Sequence, residues 1–205
     1  FGLDLWLLYR LALRLSRSVA VGMVAVLLWG VNAALGLPLA WTSAYNQVLC
    51  GAFLLGALLL FIRNTEAGRT RDLVLCWVVF LVGFGALELN LVFPALALGY
   101  AALFARKAWV RTLPMFVVSG VYAVVHRMVA PKVSEGPYAM HIDPASVVQT
   151  LWAYWVRAFG MSEIDSLPVD DWVKTVAVWL PLVLTAGLGS FLIFRLRRRD
   201  WGVVF

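Results

Sequence analysis

Residues Leu73–Ala105 read LVLCWVVFLVGFGALELNLVFPALALGYAALFA, 33 residues carrying one formal charge, Glu88, with Pro94 six positions later. As one helix this stretch would be about 50 Å long at 1.5 Å per residue, far beyond a hydrocarbon core of about 30 Å. An isolated carboxylate at membrane depth is also expensive, and by default it marks a functional site. A hairpin resolves both problems. One helix is expected from Leu73 to about Leu87, a turn at Glu88-Leu89-Asn90 at the far water interface, and a returning helix from about Leu91. Pro94 suits the first turn of the second helix, where its missing N–H costs little.

Composition extends this reading to the whole chain. Of its 205 residues 63% are hydrophobic and 14% charged, against roughly 25% charged in soluble domains. Mean hydropathy is +0.88. The expected fold class is an all-α integral membrane protein, a polytopic helix bundle of about seven transmembrane helices with one short interfacial helix. The net charge of +6 does not point to nucleic acid, because the bases sit in short clusters between apolar runs. Cys50 and Cys76 both lie inside apolar runs, where a thiol acts as a small hydrophobe, and no disulfide or metal framework follows from them. No signal-peptide pattern opens the chain. Phe1–Ser16 reads as the end of a helix already under way, so the sequence is expected to be a piece of a longer protein.

The apolar runs give spans at Phe1–Leu15 (truncated), Val19–Leu37, Ala44–Ile62, Leu73–Leu87, Leu91–Ala105, Leu113–Ala130 and Trp172–Phe194. Thirteen of the seventeen Lys and Arg residues fall at alternate ends of these spans: Arg10/Arg14/Arg17, Arg63/Arg69/Arg71, Arg106/Lys107/Arg111 and Arg195/Arg197/Arg198/Arg199. By the positive-inside rule these ends and the C-terminus are cytoplasmic. Glu88, Glu135, Asp143, Glu163, Asp165, Asp170 and Asp171 fall on the opposite side. The chain therefore divides into a transmembrane core at 1–130, an extracytoplasmic segment at 131–171, and a last span with its basic tail at 172–205. Within the extracytoplasmic segment, Ser146–Phe159 (SVVQTLWAYWVRAF) is too short to span comfortably, and it reads as an amphipathic helix in the interface with Trp152, Tyr154 and Trp155 at headgroup depth. The lipid bilayer is the partner this composition demands.

The segment VLLWGVNAALGLPLAWTSAYNQVLCGAFLLGALLLF (Val26–Phe61), a basic loop, and then VVFLVGFGALELNLVFPALALGYAALF (Val78–Phe104) resemble the transmembrane core of GT-C glycosyltransferases, nearest to the bacterial protein O-mannosyltransferase-like group with its tetratricopeptide relatives. In that group a helix ends near a His-Pro, a Trp follows about nine residues on, and a later helix ends in Lys-Glu with a Pro shortly after. Here Trp41, Glu88 and Pro94 match. The following ARKAWVRTLPMFVVSGVYAVVHRM (Ala105–Met128) is similar to the group's basic loop and Tyr-containing helix. The resemblance covers Trp29 to Arg127. It implies a bundle in the bacterial inner membrane that transfers a sugar from a polyprenyl-phosphate donor at the extracytoplasmic face. A carboxylate of the first loop there serves as base or metal ligand, and basic groups stabilise the departing lipid phosphate. The implied ligands are that lipid-phosphate sugar donor and a divalent metal. Where the group has His-Pro this chain has Asn32-Ala33. Leu37, Tyr45 and Gln47 stand where the group often has Glu, Arg and Asp, and Leu87 replaces the Lys. The group's acidic first loop lies outside the sequence.

The candidate residues for donor or lipid-phosphate binding are thus Glu88, Arg127, Asn32 and Trp41; no catalytic residue is assigned. Glu88 and Arg127 each have a plainer reading. Glu88 would be a solvated carboxylate at a turn, with Asn90 nearby. Arg127 would snorkel to headgroups, although its planar fork also suits phosphate oxygens. His126 is an ordinary interfacial histidine more readily than a haem ligand. His141 and Asp143 are two groups on a loop, too few for a metal site, and Asp143 before Pro144 suits a turn and a cap. Asp170-Asp171 suit the N-terminus of the last helix. Arg195–Arg199 would anchor on acidic headgroups, or dock a partner protein. Two functions from different classes follow: a membrane glycosyltransferase core, or a non-catalytic accessory subunit of a larger membrane complex built on the same fold.

Overall fold

Ser16-Arg17-Ser18 is the first sequence break, and it turns the chain sharply. In the computed structural model, which describes residues 1–129, 144–159 and 170–197, helix α1 (Gly2–Ser16) ends on Arg17 in the left-handed region at φ 56°. The Arg17 N–H donates to the Leu13 carbonyl at 2.8 Å. Ser18 then caps α2 (Val19–Gly30), its hydroxyl accepting from the Val21 N–H at 3.4 Å. The two helices pack antiparallel through a close approach at Gly22, where an added Cβ would stand 2.9 Å from the Tyr9 ring. Gly22→Leu is expected to cost about 1–3 kcal/mol through this overpacking. Thermal unfolding followed by circular dichroism in detergent would register it, and a Tyr9→Ala background should return part of the loss.

All described residues outside turns are helical, and no strand occurs among them. Contacts divide the chain into two units. The first comprises Phe1–Val31 and Pro38–Val129. Its core forms where α4 (Asn46–Ala67), α5 (Thr70–Gly83), α6 (Phe93–Phe104) and α7 (Leu113–Val129) meet. Ala57, Phe61 and Ile62 of α4, Cys76 and Phe80 of α5, and Phe93, Ala97 and Ala101 of α6 are essentially inaccessible. Phe80 lies between Trp77, Phe84 and Phe93 at ring-centroid distances of 5.1–5.8 Å. The alanines carry no side chain beyond Cβ and let the helices approach closely. Cys50 and Cys76 are free and buried, in keeping with the role of small apolar side chains.

The helix limits differ in part from the apolar runs. The expected span Val19–Leu37 is broken: α2 stops at Gly30, the Asn32 side chain accepts the Ala34 N–H at 2.9 Å, and a 3₁₀ turn (Ala33–Leu35) and the short α3 (Gly36–Ala40) follow. Gly30 and an Asx turn outweigh continuous apolarity here. The span expected at Ala44–Ile62 runs on to Ala67, ending at Gly68 with φ 67°, a conformation that favours glycine. In the opening stretch α5 stops at Gly83, and the chain turns through Phe84–Leu87. Glu88–Val92 form a 3₁₀ segment before α6, which has Pro94 in its first turn as expected. Two continuous helical stretches among the described residues are long and apolar enough to cross a membrane, Thr42–Ala67 with 26 residues and Arg106–Val129 with 24.

The basic clusters of the first unit share one end. Arg14 pairs with Glu66, its Nε donating at 2.8 Å. Arg63 pairs with Asp72 at 3.3 Å, and Arg111 donates to Asn64 at 2.6 Å. Thus the end of α1, the α4–α5 turn and the 3₁₀ segment Arg106–Thr112 come together, the grouping that the charge pattern required.

The second unit holds Asn32–Leu37 and the described part of 130–200. Helix α8 (Pro144–Ala158) occupies the stretch read as the interfacial helix and exposes Trp152, Tyr154 and Trp155. The Trp155 indole donates to Thr185 Oγ1 at 2.6 Å on α9 (Asp171–Arg197). At the start of α9 the Asp170 carboxylate accepts from the Trp172 indole at 3.2 Å, while Asp171 lies in the first helical turn. His141, Asp143, Glu135, Glu163, Asp165, Arg198 and Arg199 lie outside the described residues.

Candidate functional site

Glu88 owes its position to a buried neighbour. After α5 the backbone closes two tight turns, with the Gly85 N–H on the Val82 carbonyl at 2.9 Å and the Ala86 N–H on the Gly83 carbonyl at 3.0 Å. Leu87 is extended, and the 3₁₀ segment drives Asn90 into the core. Asn90 is 0% exposed, and its Nδ2 donates to the Phe80 carbonyl at 2.5 Å, one of the acceptors left over at the end of α5. Gly83 makes the room: a Cβ there would stand 2.8 Å from the Asn90 amide atoms. Asn90 Oδ1 has no partner in the structure. With Asn90 pinned inward, Glu88 and Leu89 face outward and are exposed.

The end of α7 lies against this turn. Phe84 stacks on Tyr122 at 4.3 Å, and Tyr122 stacks on His126 at 5.9 Å with planes 18° apart. His126 is therefore an aromatic packing partner. Arg127, one residue on, is exposed at the same end of the unit as Glu88. Neither makes an ion pair with a described residue. Trp41 is 58% exposed just before the turn that leads into α4, its carbonyl accepting the Ala44 N–H at 2.9 Å. The first unit thus carries Glu88, Arg127 and Trp41 at the end opposite its arginine clusters. Asn32 belongs to the second unit, where its amide is consumed locally: Nδ2 donates to the Ala158 carbonyl at 2.7 Å, and Oδ1 accepts from the backbone of its own turn.

Several buried polar groups escaped the sequence reading, among them Asn64, Asn90 as an anchor, and Asp4 in the first turn of α1, which is 2% exposed with Oδ1 unpartnered. The signal for Asp4 was periodic: Asp4, Leu7 and Leu11 are the buried residues of α1, at the 3- and 4-residue spacings of one helix face. No group of three or more His, Cys, Asp or Glu side chains that could hold a metal ion occurs among the described residues. No protein-family model, curated protein or solved structure matches the chain.

Proposed function

We propose that this chain is a polytopic protein of the bacterial inner membrane, a bundle of about seven transmembrane helices with α8 in the interface, and that it forms the core of a polyprenyl-phosphate-sugar-dependent glycosyltransferase. Two features support the membrane reading. α2 has no charged residue and exposes Val21, Met23, Val24, Leu27 and Leu28, and α7 exposes Val117, Val121, Val124 and Val125. Such faces suit lipid and would be an aggregation hazard in water. The observation that carries the functional reading is the end bearing Glu88. A carboxylate on the turn pinned by Asn90, an arginine near the end of α7 and a tryptophan ahead of α4 lie on the side away from the basic clusters, which the positive-inside rule makes extracytoplasmic. Glu88 would hold sugar hydroxyls, Arg127 the lipid phosphate, and Trp41 a sugar face.

The full-length protein in proteoliposomes containing a polyprenyl-phosphate sugar is expected to transfer that sugar to an acceptor on the extracytoplasmic side. Product measured by mass spectrometry checks this, and no transfer across a panel of donors would retire the enzyme reading. One observation favours the accessory-subunit reading: the Asn32 side chain is spent on its own unit's backbone, leaving nothing to replace the family's histidine. That reading expects stable co-purification with other membrane subunits and no transfer.

A further inference from the structure

The arginine-rich end of the first unit carries a cleft of ≈ 380 Å³, lined by Thr65 of α4, Phe104 and Ala105 at the end of α6, and Arg106, Lys107 and Arg111 of the 3₁₀ segment. We propose that this cleft binds an anionic phosphate group, either a lipid headgroup at the membrane surface or a soluble phosphate compound. It lies at the opposite end of the unit from Glu88 and does not depend on sugar transfer.

Charge balance is the first argument. Three cationic side chains line one concavity, and no carboxylate lines it. Two acids at this end of the unit already have cationic partners, Glu66 in Arg14 and Asp72 in Arg63. Arg106, Lys107 and Arg111 make no ion pair with any described residue. A concave surface of one charge sign focuses its field and draws a counter-ion.

Preorganisation is the second. Arg111 Nη1 donates to Asn64 Oδ1 at 2.6 Å. Asn64 is only 3% exposed, and its Nδ2 is fixed in turn by the Arg69 carbonyl at 2.8 Å. A buried amide thus orients the guanidinium and leaves the rest of its N–H fork for an incoming oxyanion, the geometry that makes arginine a better phosphate ligand than lysine. The wall is rigid as well: Phe104 stacks on Tyr100 at 5.2 Å, and the Tyr100 hydroxyl lies 3.4 Å from Thr65 Oγ1.

Trp109 and Val110, on the same segment as the cations, are 48% and 54% exposed. An exposed tryptophan beside bases is the pattern of a bilayer interface, where phosphate headgroups are densest.

The test uses the full chain. Native mass spectrometry after release from phosphatidylglycerol or phosphatidylcholine nanodiscs reports retained lipid, and calorimetric titration with inorganic phosphate and pyrophosphate in neutral detergent reports the soluble source. Retention of phosphatidylglycerol is expected to fall roughly fivefold for each charge removed in Arg106→Gln, Lys107→Gln and Arg111→Gln. Arg10→Gln, which removes a charge outside the cleft, should leave it unchanged. Arg111→Lys keeps the charge and loses the fork, and it should remain below wild type. Binding of pyrophosphate without preference for phosphatidylglycerol, lost in the same variants, would also support the proposal and assign the soluble source. Equal losses in Arg10→Gln and in the cleft variants would overturn it, as would binding of neither probe. Unchanged melting temperatures in the exposed-residue variants keep the comparison free of folding effects.

Discussion

Asn90→Ala is expected to destabilise the first unit by about 2–4 kcal/mol, combining a lost buried hydrogen bond with a new cavity. The Phe80 carbonyl that Asn90 Nδ2 reaches at 2.5 Å would be left without that donor, in a core whose neighbours are Phe80, Phe84 and Phe93. Gly83→Ala is expected to cost about 1–3 kcal/mol for the opposite reason, too much volume. Its Cβ would stand 2.8 Å from the amide carbon, nitrogen and oxygen of Asn90. That amide is short, fully buried and tied to the backbone, so it cannot swing aside as a long exposed side chain would. The two substitutions compete for one space, and the double variant should therefore cost less than the sum of the singles by about 1 kcal/mol or more. Equilibrium unfolding in mixed micelles, followed by far-UV circular dichroism for all four proteins of the cycle, measures this. Strict additivity would mean that Gly83 and Asn90 do not share the space assigned to them.

The same pair shows where sequence reasoning reaches its limit. A turn between two apolar helices at Glu88 was legible because no helix of 33 apolar residues fits a bilayer and because Pro94 marks a first turn. The gathering of arginines was legible from their alternation with apolar runs, and the ion pair of Arg14 with Glu66 bears it out across 52 residues of sequence. The helix ends were less legible. Gly83 and Asn90 act through a close contact that periodicity does not record, and the Asx turn at Asn32 follows the end of α2, so Val19–Leu37 looked continuous when it is not. Asn90 read as a polar companion of an exposed glutamate, yet it is buried while the glutamate is not. A charge draws the eye in an apolar run, whereas a neutral amide can be the group that shapes the turn. Asn32 shows the converse. It stands where the resembled group has a histidine, and the Ala158 carbonyl and the Ala34 N–H occupy its side chain.

Glu88→Gln tests the functional reading at its most exposed point. A hydrogen bond from a sugar hydroxyl to a carboxylate contributes about 1.5–3 kcal/mol, so the neutral isostere should lower kcat/KM for sugar transfer by about tenfold to hundredfold. Folding should be untouched, because Glu88 is exposed and bonds to no described residue, and the turn is held by Asn90. That separation makes the variant informative: a loss of transfer at constant melting temperature excludes unfolding and places the effect at the site. Arg127→Gln provides the complementary measurement. If Arg127 grips the lipid phosphate in both ground and transition states, its loss should raise KM for the donor and leave kcat nearly unchanged, since uniform binding does not lower the chemical barrier. Full activity in Glu88→Gln would remove this residue from the site. Because Glu88 and Arg127 share the end of the unit built by Phe84, Tyr122 and His126, full activity in both variants would leave that end a structural cap, and the accessory-subunit reading would then account better for the chain.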